Sequence, residues 1–280
     1  MHRIYCTRLL IVLLILLGSC GMKNKEKKFE SPEGYDINKP VLIKLPVELD
    51  EISGINYYEV DSSLFAISDD RGAIFKIKPG PLVSKWKFSH GADFEDLARI
   101  DSTFYILQSN GDVFKVYFEK DKAVSETFKF EYAKNNEFEI IYADTSTRKL
   151  IVICKDCETD TKKSLSTFIF DPFSNSFSDS SFTIDINKAE SSINIKDKRF
   201  KPSAAALNPA DGLLYIISSV NKMLMVADAA GNVKKGYPLN PSIFKQPEGI
   251  AFKPNGDMIV SNEYAGTGTA TLLIFKYQKK

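Results

Sequence analysis

Five short segments place an acid or a hydroxyl at the same point of a recurring pattern. They are Ile52-Ser53-Gly54-Ile55, Phe94-Glu95-Asp96-Leu97, Phe138-Glu139-Ile140-Ile141, Pro202-Ser203-Ala204-Ala205 and Pro247-Glu248-Gly249-Ile250. Carboxylates and hydroxyls are hard oxygen donors, which suit Ca2+ rather than zinc or copper. Three carboxylates brought onto one axis repel one another, and burial makes each charge costlier still. They must protonate or hold a cation, because no lysine or arginine occupies an equivalent position. The expected site is a Ca2+ held mainly by Glu95, Glu139 and Glu248 and supplemented by Asp69, Asp70 and Glu263. Ser53, Asp70, Arg71, Ser203 and Asn262 are the candidates to touch a bound ligand. The competing reading has the glutamates accepting hydrogen bonds from backbone amides and binding nothing. Glu51 and Asp93 lie beside the anchors and compete for the same assignment.

Other chemistries find less support. Asp69-Asp70-Arg71-Gly72 offers an acid pair for metal-assisted hydrolysis with Arg71 holding an anion, or else a polar turn. The segments 208–212 and 253–257 lack the ligand spacing and terminal glutamate of an EF-hand and read as hairpin turns. Past the first twenty residues the chain has one histidine, His90, so a three-histidine zinc centre is excluded. A Ser-His-Asp set would have to use His90, and no G-x-S-x-G elbow occurs. Cys154-Lys155-Asp156-Cys157 is a C-x-x-C without a surrounding βαβ pattern, which favours a local disulfide at a strand end over redox catalysis.

The anchors at 53, 95, 139, 203 and 248 are 42, 44, 64 and 45 residues apart, and three of these intervals match a four-stranded propeller blade. The long interval contains a charged, helix-compatible insertion, Asn187 to Arg199. After each anchor comes a strand, a turn and a second strand ending in a polar cluster, such as Leu64 to Ile67 before Ser68-Asp69-Asp70. Third strands follow at Ile74 to Ile77, Val113 to Tyr117 and Leu224 to Ala227. The last unit has room for three strands only. Val41 to Leu45, which precedes the first anchor, would supply the fourth by pairing with Thr271 to Tyr277 and so close the ring. The expected fold is all-β, a single propeller of five four-stranded blades, with six as the alternative.

The N-terminus carries a different message. Arg3 and Arg8 precede an apolar run from Leu9 to Leu17, and Gly18-Ser19 leads to Cys20. This is a secretory signal, too short for an ordinary spanning helix. Leu17-Gly18-Ser19-Cys20 resembles the lipobox of bacterial lipoproteins, in which the cysteine is lipidated. The expected organisation is a signal peptide over 1–20, a polar flexible tether over 21–40 spanning about 25 Å, and a propeller over 41–280. Loss of Arg3 and Arg8 takes the formal charge from +1 to −1, so no basic field recruits nucleic acid. The expected location is the cell envelope, anchored to a bacterial membrane through Cys20, with the outer membrane favoured.

Four motifs in order carry a family resemblance: Leu49-Asp50-Glu51-Ile52-Ser53-Gly54-Ile55, Ala66-Ile67-Ser68-Asp69-Asp70-Arg71-Gly72, Asp93-Phe94-Glu95-Asp96-Leu97-Ala98 and Gln246-Pro247-Glu248-Gly249-Ile250-Ala251. Over roughly 45–280 the chain resembles the SdiA-regulated family of bacterial propellers, distantly similar to NHL-repeat proteins. The resemblance implies five blades and a calcium site, and brings no established activity. The chain departs from the family's acidic-Gly form at Ser203-Ala204, so the fourth anchor contributes no carboxylate. The leading functional expectation is a non-catalytic calcium-binding module that takes a small-molecule or protein ligand. The alternatives are a calcium-dependent hydrolase of an ester, lactone or phosphoester, and a metal-free protein–protein scaffold.

Overall fold

The computed structural model describes residues 28–78, 83–131, 136–179, 182–186, 199–266 and 268–279. The signal segment, Cys20, residues 21–27 and all of the expected insertion except Arg199 lie outside them.

The middle strands of the blades are apolar almost without interruption because both of their faces are covered, as in sheets packed on two sides, whereas the outermost strands are more exposed and mostly polar. Blade one follows an edge strand β1 (Val41–Lys44) and comprises β2 (Ile52–Tyr58), β3 (Ser63–Ser68), β4 (Ala73–Ile77) and β5 (Val83–Lys87). Blade two is β6 (Phe94–Ile100), β7 (Thr103–Gln108), β8 (Val113–Glu119) and β9 (Lys122–Phe128). Blade three begins with β10 (Glu137–Asp144) and β11 (Lys149–Asp156), and β12 (Ser164–Leu165) interrupts it before β13 (Thr167–Asp171) and β14 (Ser176–Asp179). After β15 (Ile184–Asp185), which pairs with β12, blade four is β16 (Ala204–Leu207), β17 (Leu214–Ser218), β18 (Met223–Ala227) and β19 (Val233–Pro238). Blade five is β20 (Pro247–Phe252), β21 (Met258–Asn262) and β22 (Thr271–Phe275).

Five antiparallel four-stranded sheets result, and the fifth is completed by β1 in the order β1-β22-β21-β20. Val41 faces Ile274 and Lys44 faces Thr271, so the expected closure of the ring occurs and the six-bladed alternative is set aside. The innermost strands β2, β6, β10, β16 and β20 touch one another in turn around the central channel.

The core is divided among the seams between blades. Along β3, Phe65 and Ile67 pack toward blade two while Leu64 and Ala66 pack toward blade five. Along β7, Phe104 and Ile106 face blade one while Tyr105 and Leu107 face blade three. Each seam thus interlocks side chains from two blades.

One boundary differs from the sequence expectation. Residues 29–40 are not a free tether: Ile37 is 1% exposed and Tyr35 is buried on the seam between blades four and five, beside Tyr215 and Ile217. The Tyr35 hydroxyl donates to the Gly256 carbonyl at 2.6 Å and accepts from Asn208 Nδ2 at 3.0 Å. The Gln278 amide donates to the Gly34 carbonyl at 2.8 Å. A polar average composition concealed the two side chains that dock the segment.

Candidate cation site at the channel mouth

The anchors converge because every acidic anchor is the extra residue of a β-bulge. Pairing passes from Phe94–Gln108 to Asp96–Leu107, from Phe138–Cys154 to Ile140–Ile153 and from Pro247–Asn262 to Gly249–Ser261. Glu95, Glu139 and Glu248 are therefore left out of the ladder. The same irregularity spans Ser53-Gly54, between Ile52 and Ile55. A bulge turns a side chain away from its alternating direction, and here it delivers all of them to one cavity at the channel mouth.

Close approach of the inner strands requires glycine at two of these bulges. A Cβ on Gly54 would lie 2.2 Å from Asp96 Oδ1, and one on Gly249 would lie 2.4 Å from Ser261 Oγ. Asp96 fastens this level of the channel: its Oδ2 accepts from the Ile141 amide at 3.1 Å and its Oδ1 from the Leu97 amide at 2.8 Å. Complete burial pushes the Asp96 carboxyl well above its ordinary value.

The second strands end at the same mouth, locked to the next blade through the backbone. The Asp69 carbonyl accepts from the Phe94 amide at 3.0 Å, and the Ser109 carbonyl accepts from the Phe138 amide at 2.8 Å. The Glu263 amide donates to the Gln246 carbonyl at 2.9 Å, and Tyr264 reaches Asp50 of blade one. These bonds hold Asp69 and Glu263 over the channel.

The cavity measures about 280 Å³ and contains Ser53, Asp69, Glu95, Glu139, Ser203, Glu248 and Glu263. Asp93, Glu137, Gln246 and Lys155 complete its wall, giving seven acids against one cation. No lysine or arginine occupies an anchor position, as expected, but Lys155 enters the cavity from elsewhere. Its Nζ lies 2.9 Å from Glu139 Oε2 and 3.1 Å from Glu137 Oε1. The cation comes from the end of a second strand rather than from an anchor position, in the register that supplies Asp69 in blade one.

Lys155 does not neutralise the site. Glu139 is 5% exposed, and the Lys155 ammonium is the one charged partner of its Oε2 among seven acids. Asp69 Oδ1 is enclosed without a hydrogen-bond donor. Burial raises the Glu95 carboxyl, and Glu139 and then Asp93 raise it further. Burial also lifts Glu139 against the opposing pull of Lys155. Glu248 is pushed up to about 7 by burial, with Ser219 as a hydrogen-bond partner and then Lys155 working the other way. Asp69 is pushed up to about 6 by burial and then by Asp70. Burial and a hydrogen bond donated to the neighbouring Glu51 carboxyl raise Glu263, whose Oε2 also accepts from Gln246 Nε2. Burial opposes charge on Lys155 as well, but the Glu139 carboxylate outweighs it and holds the ammonium protonated.

Other expected ligand residues stay outside. Asp70 is exposed, accepts from Ser68 Oγ at 2.9 Å and pairs with Arg71 at 3.4 Å, so both belong to a polar turn at the rim and not to the cavity wall. Asn262 is buried but braces the Ile243 carbonyl with its Nδ2 at 2.9 Å. Ser203 lines the cavity while its hydroxyl donates to the Pro247 carbonyl at 2.7 Å and accepts from the Ser219 amide at 3.2 Å.

Sequence reasoning missed Lys155, Glu137 and Gln246. The signal for Lys155 was present, since Cys154-Lys155-Asp156 aligns with Ser68-Asp69-Asp70 at the end of a second strand. Cys154 and Cys157 are joined, with Cα atoms 5.6 Å apart, and the loop is closed further by Asp160 accepting from the Cys157 amide at 2.9 Å. A bonded pair offers no thiolate, so the cluster Cys154, Cys157 and Asp160 is not a metal site. The disulfide instead fixes the loop from which Lys155 enters the channel.

An oxygen-rich pocket with more acids than cations, and with the enclosed Asp69 Oδ1 lacking a donor, fits a hard divalent cation such as Ca2+. A sequence model of the SdiA-regulated family matches residues 42–265. No curated protein sequence matches the chain. Among solved structures, a luciferin-regenerating enzyme superposes with a TM-score of 0.56 at 10% identity, covering 85% of this chain and 95% of the other. Glutaminyl cyclase from Myxococcus xanthus gives 0.55 at 13% identity, with coverage of 86% and 98%. XC5397 from Xanthomonas campestris, a gluconolactonase, gives 0.52 at 12% identity, with coverage of 87% and 81%. At these identities the likeness concerns the propeller fold alone.

Proposed function

The chain belongs to the SdiA-regulated family, and from that premise we propose that it is a calcium-binding propeller acting as a non-catalytic binding module at the bacterial envelope. Glu95, Glu139, Glu248, Asp69 and Glu263 hold the ion, and Ser53 and Ser203 line the space a ligand would share. One observation carries the reading: Asp69 Oδ1 is enclosed without a hydrogen-bond donor, and the buried Glu139 Oε2 has only the Lys155 ammonium beside it, in a cavity that faces seven acids with a single lysine. Buried polar atoms are normally satisfied, and a divalent ion satisfies several of these at once. Bound metal and the melting temperature of the purified protein, with and without chelator, test this. Stoichiometric calcium that raises the melting temperature, and that Glu95→Gln with Glu248→Gln removes, is the expected result. Metal-free protein with no shift on adding calcium would sink it.

The same proposal places the protein on a membrane, the outer membrane in a two-membrane envelope, through a lipid on Cys20. Support comes from the apolar run ending at Leu17-Gly18-Ser19-Cys20. A Cys20→Ala variant is expected to lose incorporation of labelled fatty acid. Equal labelling of both proteins would refute the anchor.

A second reading, a calcium-dependent hydrolase of an ester, lactone or phosphoester, is favoured by Glu248. Burial pushes its carboxyl up to about 7 in the same cavity, where a carboxylate can take a proton from water beside a cation. Turnover of model esters and lactones that vanishes in Glu248→Gln and in chelator would favour this reading over the binding module.

A further inference from the structure

Beside the acidic cavity, and sharing a wall with it, lies a recess of about 340 Å³ with the opposite charge. Lys155, Lys201, Lys222 and Lys245 line it, and Glu139, Ser203, Gln246 and Glu248 belong to both spaces. All four lysines come from blades three and four or the connections beside them. The uncompensated acids lie on the side of blades one, two and five, where Asp69, Glu95 and Glu263 stand. The mouth of the channel is therefore divided into an acidic half and a basic half.

The four lysines are held in different ways. Lys155 faces Glu139 and Glu137, and Lys201 lies 3.1 Å from Asp156, which also pairs with Arg199 at 3.0 Å. Lys222 is half-buried, and its Nζ donates to the Lys245 carbonyl at 2.5 Å, which pins the ammonium at the rim. Among the described residues, no carboxylate lies within 4.0 Å of the Lys222 or Lys245 ammonium. Two positive charges thus border the recess without a close ion pair, Lys222 feeling only the more distant Glu248 carboxyl, and one has an enforced position. A cation taken up by Glu139 and Glu248 would draw carboxylate charge away from Lys155, adding a third.

Resting on the calcium reading above, we propose that this recess seats the oxyanion of a small ligand, a carboxylate or phosphate group, which bridges the bound cation to Lys222 and Lys245. A dication in the acidic half and lysines in the basic half attract the same oxygen-rich group from two sides, the usual way protein sites hold phosphate and carboxylate. Neutral or cationic ligands gain nothing from the basic half, so the ligand class narrows to small organic anions.

Isothermal titration of methyl phosphate, and separately of acetate, into the calcium-loaded protein distinguishes the two sources of the oxyanion. Saturable one-to-one binding of at least one probe is expected. Lys222→Gln with Lys245→Gln should weaken it at least tenfold while bound calcium, measured on the same samples, stays unchanged. Calcium without saturable binding of either probe at millimolar concentration overturns the oxyanion seat and leaves the calcium reading intact. Binding that is unaffected by the double substitution also overturns it. Probe binding that is lost in the double variant but persists in chelator overturns the bridge to the cation, while the calcium reading stands or falls on the metal measured in the same samples.

Discussion

Replacing Glu248 by glutamine tests how far the metal-free cavity strains the fold. Burial moves the Glu248 carboxyl from its ordinary 4.5 to about 7. Between those values the folded protein keeps a proton that the unfolded chain has released, so stability falls as pH rises. Below 4.5 the group is protonated in both states and contributes nothing; above about 7 the loss is complete. At about 1.4 kcal/mol per pH unit, the displacement amounts to about 3 kcal/mol. Glu95, Glu139, Glu263 and Asp69 are displaced in the same direction and steepen the wild-type decline. Urea denaturation in chelator, repeated from about pH 4.5 to about 8, measures the effect. The Glu248→Gln protein should lose about 3 kcal/mol less than wild type across that window, because an amide has no charge to bury. With saturating calcium the wild-type trend should weaken or reverse, since the ion binds the ionised form and stabilises it by mass action. Parallel profiles for wild type and variant in chelator would falsify the claim that Glu248 is held against its charge.

Lys155→Met removes the one cation in the cavity. Stability in chelator near neutral pH should fall by about 3 kcal/mol, while calcium affinity by titration rises at least tenfold; weaker calcium binding would contradict the placement of Lys155 beside Glu139. Cys154→Ala with Cys157→Ala opens a short covalent loop, which is expected to cost about 2 kcal/mol in chemical denaturation and to shift calcium affinity through the freed Lys155; an unchanged affinity would separate the disulfide from the site. Gly249→Ala drives a Cβ to 2.4 Å from Ser261 Oγ and should cost about 1 to 3 kcal/mol by the same assay, whereas a neutral effect would refute the close approach at this bulge. Ile37→Ala should cost about 2 to 4 kcal/mol, and a negligible loss would return residues 29–40 to the status of a free tether.

The blade count, the ring closure and the three acidic anchors were legible because each is written in local, repeated pattern. A run such as Leu64 to Ile67 with a polar end is a strand whatever surrounds it, and recurrence near 44 residues assigns it to a blade. Val41 to Leu45 could be matched to Thr271 to Tyr277 because an unpaired edge at each end of a ring is unfavourable. The anchors were found through self-similarity alone, with no knowledge of the bulges that aim them.

The sequence by itself thus determined the architecture and which acids meet at its axis. Tertiary structure decided what else meets them. Whether Lys155, Asp70 or Arg71 enters the channel depends on how the end of each second strand turns toward its neighbouring blade, and that is set by inter-blade backbone bonds and by the Cys154–Cys157 link. Lys155 turns in and faces Glu139, whereas Asp70 and Arg71 pair with each other outside. Ile37 and Tyr35 likewise look unremarkable in a polar stretch until blades four and five present a seam for them to cover. The division of the mouth into acidic and basic halves arises the same way, because charges drawn from separate blades share one space only when the ring has closed.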